Sequence, residues 1–85
     1  MAFDRCFGCM RPKTDGPMCM HCGYDGKQNN SSHQRPVGTI LQGTYLVGRV
    51  LGQGGFGITY LGWDLSLEIP IAIKEYYPNG FVVRD

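Results

Sequence analysis

Four cysteines near the amino terminus, spaced Cys6-x2-Cys9-x9-Cys19-x2-Cys22, limit what this chain can fold into more than any other feature. Each C-x-x-C can set two thiolates on one side of a tight turn, and two such turns face to face complete a tetrahedral Zn²⁺ site. The apolar residues around them are Phe3, Phe7, Met10, Met18, Met20 and Tyr24, too few for a core. A unit this small normally needs a metal or disulfides, and a structural zinc ion contributes on the order of 10–16 kcal/mol. Residues 1–25 are therefore expected to form a zinc-ribbon-like module with Cys6, Cys9, Cys19 and Cys22 as metal ligands. Gly8 inside the first knuckle and Gly23 just after the second would relieve the backbone where N–H groups turn toward sulfur. Two disulfides remain the alternative; a redox pair would call for a strand before it and a helix after it, and neither pattern is visible. His21, inside the second C-x-x-C, reads as a surface residue and not as a ligand, and His33 as a solvated side chain without a partner.

The 85 residues carry a formal charge of +1, which gives no general electrostatic case for nucleic acid or membrane binding. Arg5, Arg11 and Lys13 are a thin basic patch, so no nucleic acid partner is expected. No apolar run approaches the ~20 residues of a membrane span, and the first residues lack the apolar core of a signal peptide. The expectation is a soluble cytoplasmic protein, in which reduced cysteines favour metal binding over disulfides. Residues 26–37 are polar almost throughout and read as a flexible, exposed linker before the last segment, residues 38–85.

That last segment is built on Gly52-Gln53-Gly54-Gly55-Phe56-Gly57, a G-x-G-x-x-G pattern, followed by the strand-like run Ile69-Pro-Ile-Ala-Ile-Lys74. Glycines let a hairpin fold closely over a polyphosphate so that backbone N–H groups reach its oxygens. A lysine on a neighbouring strand adds a mobile charge for the same phosphates. On the strand Ile69 to Glu75, Ala72 and Lys74 share one face, with Ile69, Ile71 and Ile73 on the other. A dinucleotide-binding loop would need a helix after its last glycine, whereas Ile58-Thr59-Tyr60-Leu61 reads as strand. A Walker-type loop would need Gly-Lys-Ser/Thr, which the chain does not contain.

From about Gly38 onward, the glycine-rich run, Thr59 and the Ile71-Ala72-Ile73-Lys74-Glu75-Tyr76-Tyr77-Pro78 stretch together resemble the start of a bacterial eukaryotic-like serine/threonine protein kinase domain. Thr59 departs from the valine usual there. The resemblance implies a partial kinase small lobe: an antiparallel three-stranded β-sheet after the zinc-ribbon-like module, the whole chain mostly β and loop. From the residue pattern, strands are expected at Thr44 to Leu51, at Gly57 to Asp64, and from Glu68 or Ile69 to Tyr76, with Asp64 to Leu67 as one turn, Tyr76 to Gly80 as another, and a further element beginning at Phe81. Leu41 is expected to tuck against the sheet, and Pro70 to sit at a frayed end or an edge.

The resemblance also implies an ATP site. Leu51, Thr59 and Ala72 would enclose adenine; Gly52, Gln53, Gly54, Gly55, Phe56 and Gly57 would cover the phosphates; and Lys74 would contact the α- and β-phosphates. A complete kinase would add Mg²⁺ and a protein substrate. The 85 residues contain no H-R-D and no D-F-G motif, so the expectation is the amino-terminal portion of a kinase, inactive alone. The alternative is a short zinc-stapled protein-interaction module with a vestigial nucleotide loop. Three strands bearing Leu61, Trp63, Ile69, Ile71, Ile73, Tyr76 and Tyr77 hold more apolar surface than a bare sheet can hide, so residues 38–85 by themselves are expected to expose a patch.

Overall fold

The computed structural model describes residues 5–14, 16–26, 28–77 and 80–84. Five strands follow one another: β1 (Ile40–Leu41), β2 (Tyr45–Gly54), β3 (Gly57–Asp64), β4 (Ile69–Tyr76) and β5 (Phe81–Arg84). They form one antiparallel sheet in the order β1-β2-β3-β4-β5. The three expected strands are present; β1 and β5 add an edge at each side. No described residue is helical, and no helix is long and apolar enough to cross a membrane.

Local chemistry sets the turns. Gln42 and Gly43 both take positive φ, and Thr44 N–H donates to the Leu41 carbonyl (3.0 Å), closing the β1–β2 turn. At the β3–β4 turn the buried Asp64 carboxylate accepts from Ser66 N–H (2.8 Å) and Leu67 N–H (2.9 Å), which bends the chain at once. Pro70 pairs with Trp63 of β3, while β5 begins its pairing only at Ala72. The missing N–H of Pro70 therefore disturbs no ladder, as a local edge requires. Pro78, Asn79, Phe3 and Asp85 lie outside the described residues, but Tyr76 N–H donates to the Gly80 carbonyl (2.9 Å) across the β4–β5 connection.

The sheet buries one face and part of the other by different means. On one face Leu41, Val47, Ile58, Tyr60, Ile71 and Ile73 form a core, with Tyr45, Val50, Ile69, Phe81 and Val83 packed around it. The sheet curls to make that core: the rings of Tyr45 on β2 and Phe81 on β5 meet edge to face at 6.3 Å. On the other face Leu46 and Trp63 pair across β2 and β3 and are covered by Met10 of the first cysteine knuckle, with Phe7, Leu61 and Leu65 alongside. The expected shortage of cover is thus met without a helix: curling hides the isoleucine face, and the knuckle hides Trp63, which is 8% exposed. Tyr76 and Tyr77 stay about half exposed.

The knuckle docks where β2 is irregular. The β2–β3 register shifts between Val47 and Val50 and again between Val50 and Gly52, which frees backbone groups from the ladder. Arg49 N–H donates to the Phe7 carbonyl (2.9 Å), and the Arg49 side chain donates from Nε to the Gly8 carbonyl (2.7 Å). Asn30 takes the rest: its amide donates to the Gly48 carbonyl (3.0 Å) and its oxygen accepts from Val50 N–H (3.3 Å). Arg5 lies over the Trp63 ring, 3.9 Å from its centroid. The polar segment expected to be an exposed linker is exposed over much of its length, but through Asn30 it also bonds the backbone of β2.

Candidate metal centre and glycine-rich hairpin

The two cysteine turns repeat one backbone pattern thirteen residues apart. In the first, Cys6 N–H donates to the Arg11 carbonyl (2.9 Å), Met10 N–H to the Cys6 carbonyl (2.7 Å), and Gly8 N–H to Cys6 Sγ (3.2 Å). In the second, Cys19 N–H donates to the Tyr24 carbonyl (2.9 Å), Gly23 N–H to the Cys19 carbonyl (2.8 Å), and His21 N–H to Cys19 Sγ (3.4 Å). The bridges Arg5–Pro12 and Met18–Asp25 obey the same offset. Gly23 and its counterpart Met10 both take positive φ, 77° and 61°. A methionine in that conformation is strained; here its side chain, 1% exposed, is held in the Leu46–Trp63 core. Gly8 is demanded by packing, because a Cβ there would collide with the Tyr24 side chain.

The four Sγ atoms lie within 4.8 Å of one another. The shortest recorded approaches cross between the turns, Cys6 to Cys22 at 3.7 Å and Cys9 to Cys19 at 3.8 Å. Both exceed a disulfide bond of about 2.05 Å, and all four cysteines are free. With metal–sulfur bonds of about 2.3 Å a tetrahedral edge is about 3.8 Å, so these four residues can hold one metal ion. The environments of the thiols differ. Burial pushes the Cys6 thiol up to about 12 and raises Cys9 as well. At Cys19 burial is outweighed by the N–H groups of Cys22 and His21, which draw it down to about 7. His21 is exposed and stands outside the ligand group.

At the other end of the sheet, Gly54 pairs with Gly57, leaving Gly55 and Phe56 as a two-residue loop. Phe56 is 87% exposed at its tip. The loop is anchored to β4: Tyr77 N–H donates to the Phe56 carbonyl (2.9 Å), and Gly57 pairs with Tyr76. A Cβ on Gly57 would land on the Glu75 carbonyl oxygen, so the fold itself demands glycine there. Gly52, Gly54 and Gly55 have open space around a notional Cβ and no positive φ.

Lys74 stands directly opposite Thr59, and Ala72 opposite Leu61, so these four share a face. Gly54, Phe56, Gly57, Thr59, Lys74 and Tyr76 line an open groove there. Thr59 and Ala72 are half-buried, while Lys74 is exposed and makes no ion pair among the described residues. Leu51 lies at the second β2 irregularity, about half exposed, and Gln53 pairs with Ile58 across the hairpin. His33, expected to be solvated without a partner, sits 3.3 Å from the Gln53 amide nitrogen.

Sequence reasoning passed over Met10, Asn30, Arg35 and Arg49. Each acts through contacts distant in the chain, and no local pattern marks them. No protein-family profile, no curated protein and no solved structure matches this chain.

Proposed function

We propose that this chain is a zinc-stapled β-sheet unit that binds the phosphates of ATP, and that it serves as the nucleotide-binding part of a serine/threonine protein kinase. The observation that carries the reading is the cross-strand pairing of Lys74 with Thr59, which sets a cation without an ion-pair partner among the described residues beside the glycine hairpin. The glycines support it. Gly57 is accounted for by packing, but Gly52, Gly54 and Gly55 are not; close approach of a ligand to the backbone is a reason for them that packing does not supply. Ala72 on the same face leaves room for a flat base. The four thiolates leave no open coordination position, which suits a structural Zn²⁺ ion and not a catalytic one.

The reading for these residues is binding and positioning. A base and the Mg²⁺ ligands for phosphoryl transfer would have to come from outside these 85 residues, which lack both H-R-D and D-F-G. The test is calorimetric titration of the zinc-loaded protein with Mg²⁺-ATP, alongside Lys74→Ala. Loss of a charge-assisted contact to phosphate should weaken binding about tenfold or more and leave adenosine binding unchanged. Equal ATP affinity in the two proteins, or no binding to either, would remove the proposal.

A further inference from the structure

Residues 30–35 touch β2, β3 and β4 around the root of the glycine-rich hairpin. Asn30 holds the irregular stretch of β2 through Gly48 and Val50. Arg35 N–H donates to the Tyr60 hydroxyl (3.0 Å) on β3, and that hydroxyl donates to Glu75 Oε1 (3.0 Å) on β4. Arg35 reaches the same carboxylate from Nε (2.8 Å) and Nη2 (2.7 Å), both to Oε2. Gln34 Nε2 donates to Gln53 Oε1 (2.7 Å), inside the glycine-rich run, and His33 stands at the other end of the same amide.

The segment keeps this shape by its own bonds. Gln34 N–H donates to the Ser31 carbonyl (2.9 Å), Ser31 N–H to Gln34 Oε1 (2.8 Å), and the Asn30 amide to the Arg35 carbonyl (2.8 Å). Gln34 Oε1 and Nε2 are thus both engaged, one toward its own turn and one toward Gln53. A glycine-rich hairpin carries little side-chain packing to fix it, and here the fixing comes from outside the hairpin. Glu75, held by Arg35 and Tyr60, lies on the face opposite its neighbour Lys74 and leaves that cation to the groove.

We propose that residues 30–35 are a positioning strap that sets the glycine-rich hairpin through Gln53 and Glu75, with Gln34 and Arg35 as its positioning residues. The consequence for ATP rests on the nucleotide-binding reading above; the mechanical hold on the hairpin does not.

The experiment compares the zinc-loaded protein with the double variant His33→Ala/Gln34→Ala, whose side chains touch neither core nor cysteines, and with Arg35→Ala. Amide hydrogen exchange is followed at Gly54–Gly57 and at the cysteine turns, and Kd is measured for Mg²⁺-ATP and for adenosine. Loss of one neutral hydrogen bond is worth about a fivefold change in an equilibrium. Hairpin exchange should therefore rise about fivefold in the double variant, with the cysteine turns unchanged. ATP should weaken by about the same factor, and adenosine should not. Arg35→Ala should show the same split more strongly.

Unchanged hairpin exchange in both variants overturns the strap. An equal loss of ATP and adenosine affinity overturns it too, because that pattern reports general loosening. If the unaltered protein fails to bind ATP while hairpin exchange still rises in the variants, the nucleotide reading falls and the mechanical strap is supported. A melting temperature for each variant close to that of the unaltered protein certifies that folding is intact; should Arg35→Ala unfold, the double variant decides.

Discussion

Among the glycines of the hairpin, one is structural and its neighbours are not. Gly57 lies against the backbone of Glu75, where a methyl group would meet a carbonyl oxygen. Backbone cannot yield as a side chain tip can, so Gly57→Ala should destabilise the protein by about 1–3 kcal/mol, the usual range for forced overpacking. Gly55→Ala, with nothing within 4 Å of the new atom, should leave the urea midpoint unchanged within error and, on the proposed function, weaken ATP alone. A matched loss of stability in the two variants would contradict this division. Asn30 is a second decisive residue. Its side chain satisfies the Gly48 carbonyl and Val50 N–H at a partly buried site, and leaving those groups unpaired costs about 1–3 kcal/mol. Asn30→Ala should lower stability by that amount in equilibrium denaturation. The sequence marked the importance of the glycines but not which one the fold requires, because that depends on how closely β4 runs past β3.

At the scale of elements, the first cysteine turn is both half of a candidate metal site and the lid of a sheet. Cys6 and Cys9 flank Phe7 and Gly8, whose carbonyls hold Arg49, and Met10 follows at once into the core beside Trp63. Metal binding at this site and the cover of the sheet would therefore be linked through five consecutive residues. Trp63 is the single tryptophan, so its emission reports on the lid. Stripping the metal with a strong chelator should shift that emission to the red, and adding Zn²⁺ back should restore it. Unchanged emission would mean that the turn stays docked without metal. The cysteine spacing made the candidate metal site legible, because four cysteines at fixed intervals are a local pattern. The docking was not legible: Met10 occupies the position that Gly23 fills in the second turn, and its left-handed backbone makes sense only against Leu46 and Trp63.

For the whole molecule, the sheet and the amino-terminal turns complete one another. The curled face needs no partner, since Leu41, Phe81 and Val83 close over Val47, Ile58, Tyr60, Ile71 and Ile73. The opposite face does: without Phe7 and Met10 it would present Leu46, Leu61, Trp63 and Leu65 to water. Residues 38–85 expressed alone should therefore bind a hydrophobic dye and associate on gel filtration, while the full chain with zinc should do neither. A monomeric, dye-silent fragment with a sharp melt would show that the sheet needs no lid.

What the sequence determined by itself is whatever depends on short range and period: strands β2 to β4 from alternation and punctuation, the hairpin from its glycines, the pairing of faces that sets Ala72 and Lys74 together, and a thiolate cluster from two C-x-x-C turns. The tertiary structure alone decided which groups meet across distance. Irregular pairing in β2 frees backbone donors and acceptors, and buried polar groups must find partners wherever the chain can supply them. Phe7 and Asn30 supply them from distant positions along the chain. The polar stretch before the sheet looked like a linker because composition registers affinity for water, and an amide such as that of Asn30 can bond a strand that has locally lost its neighbour as well as it bonds solvent-exposed groups of its own turn.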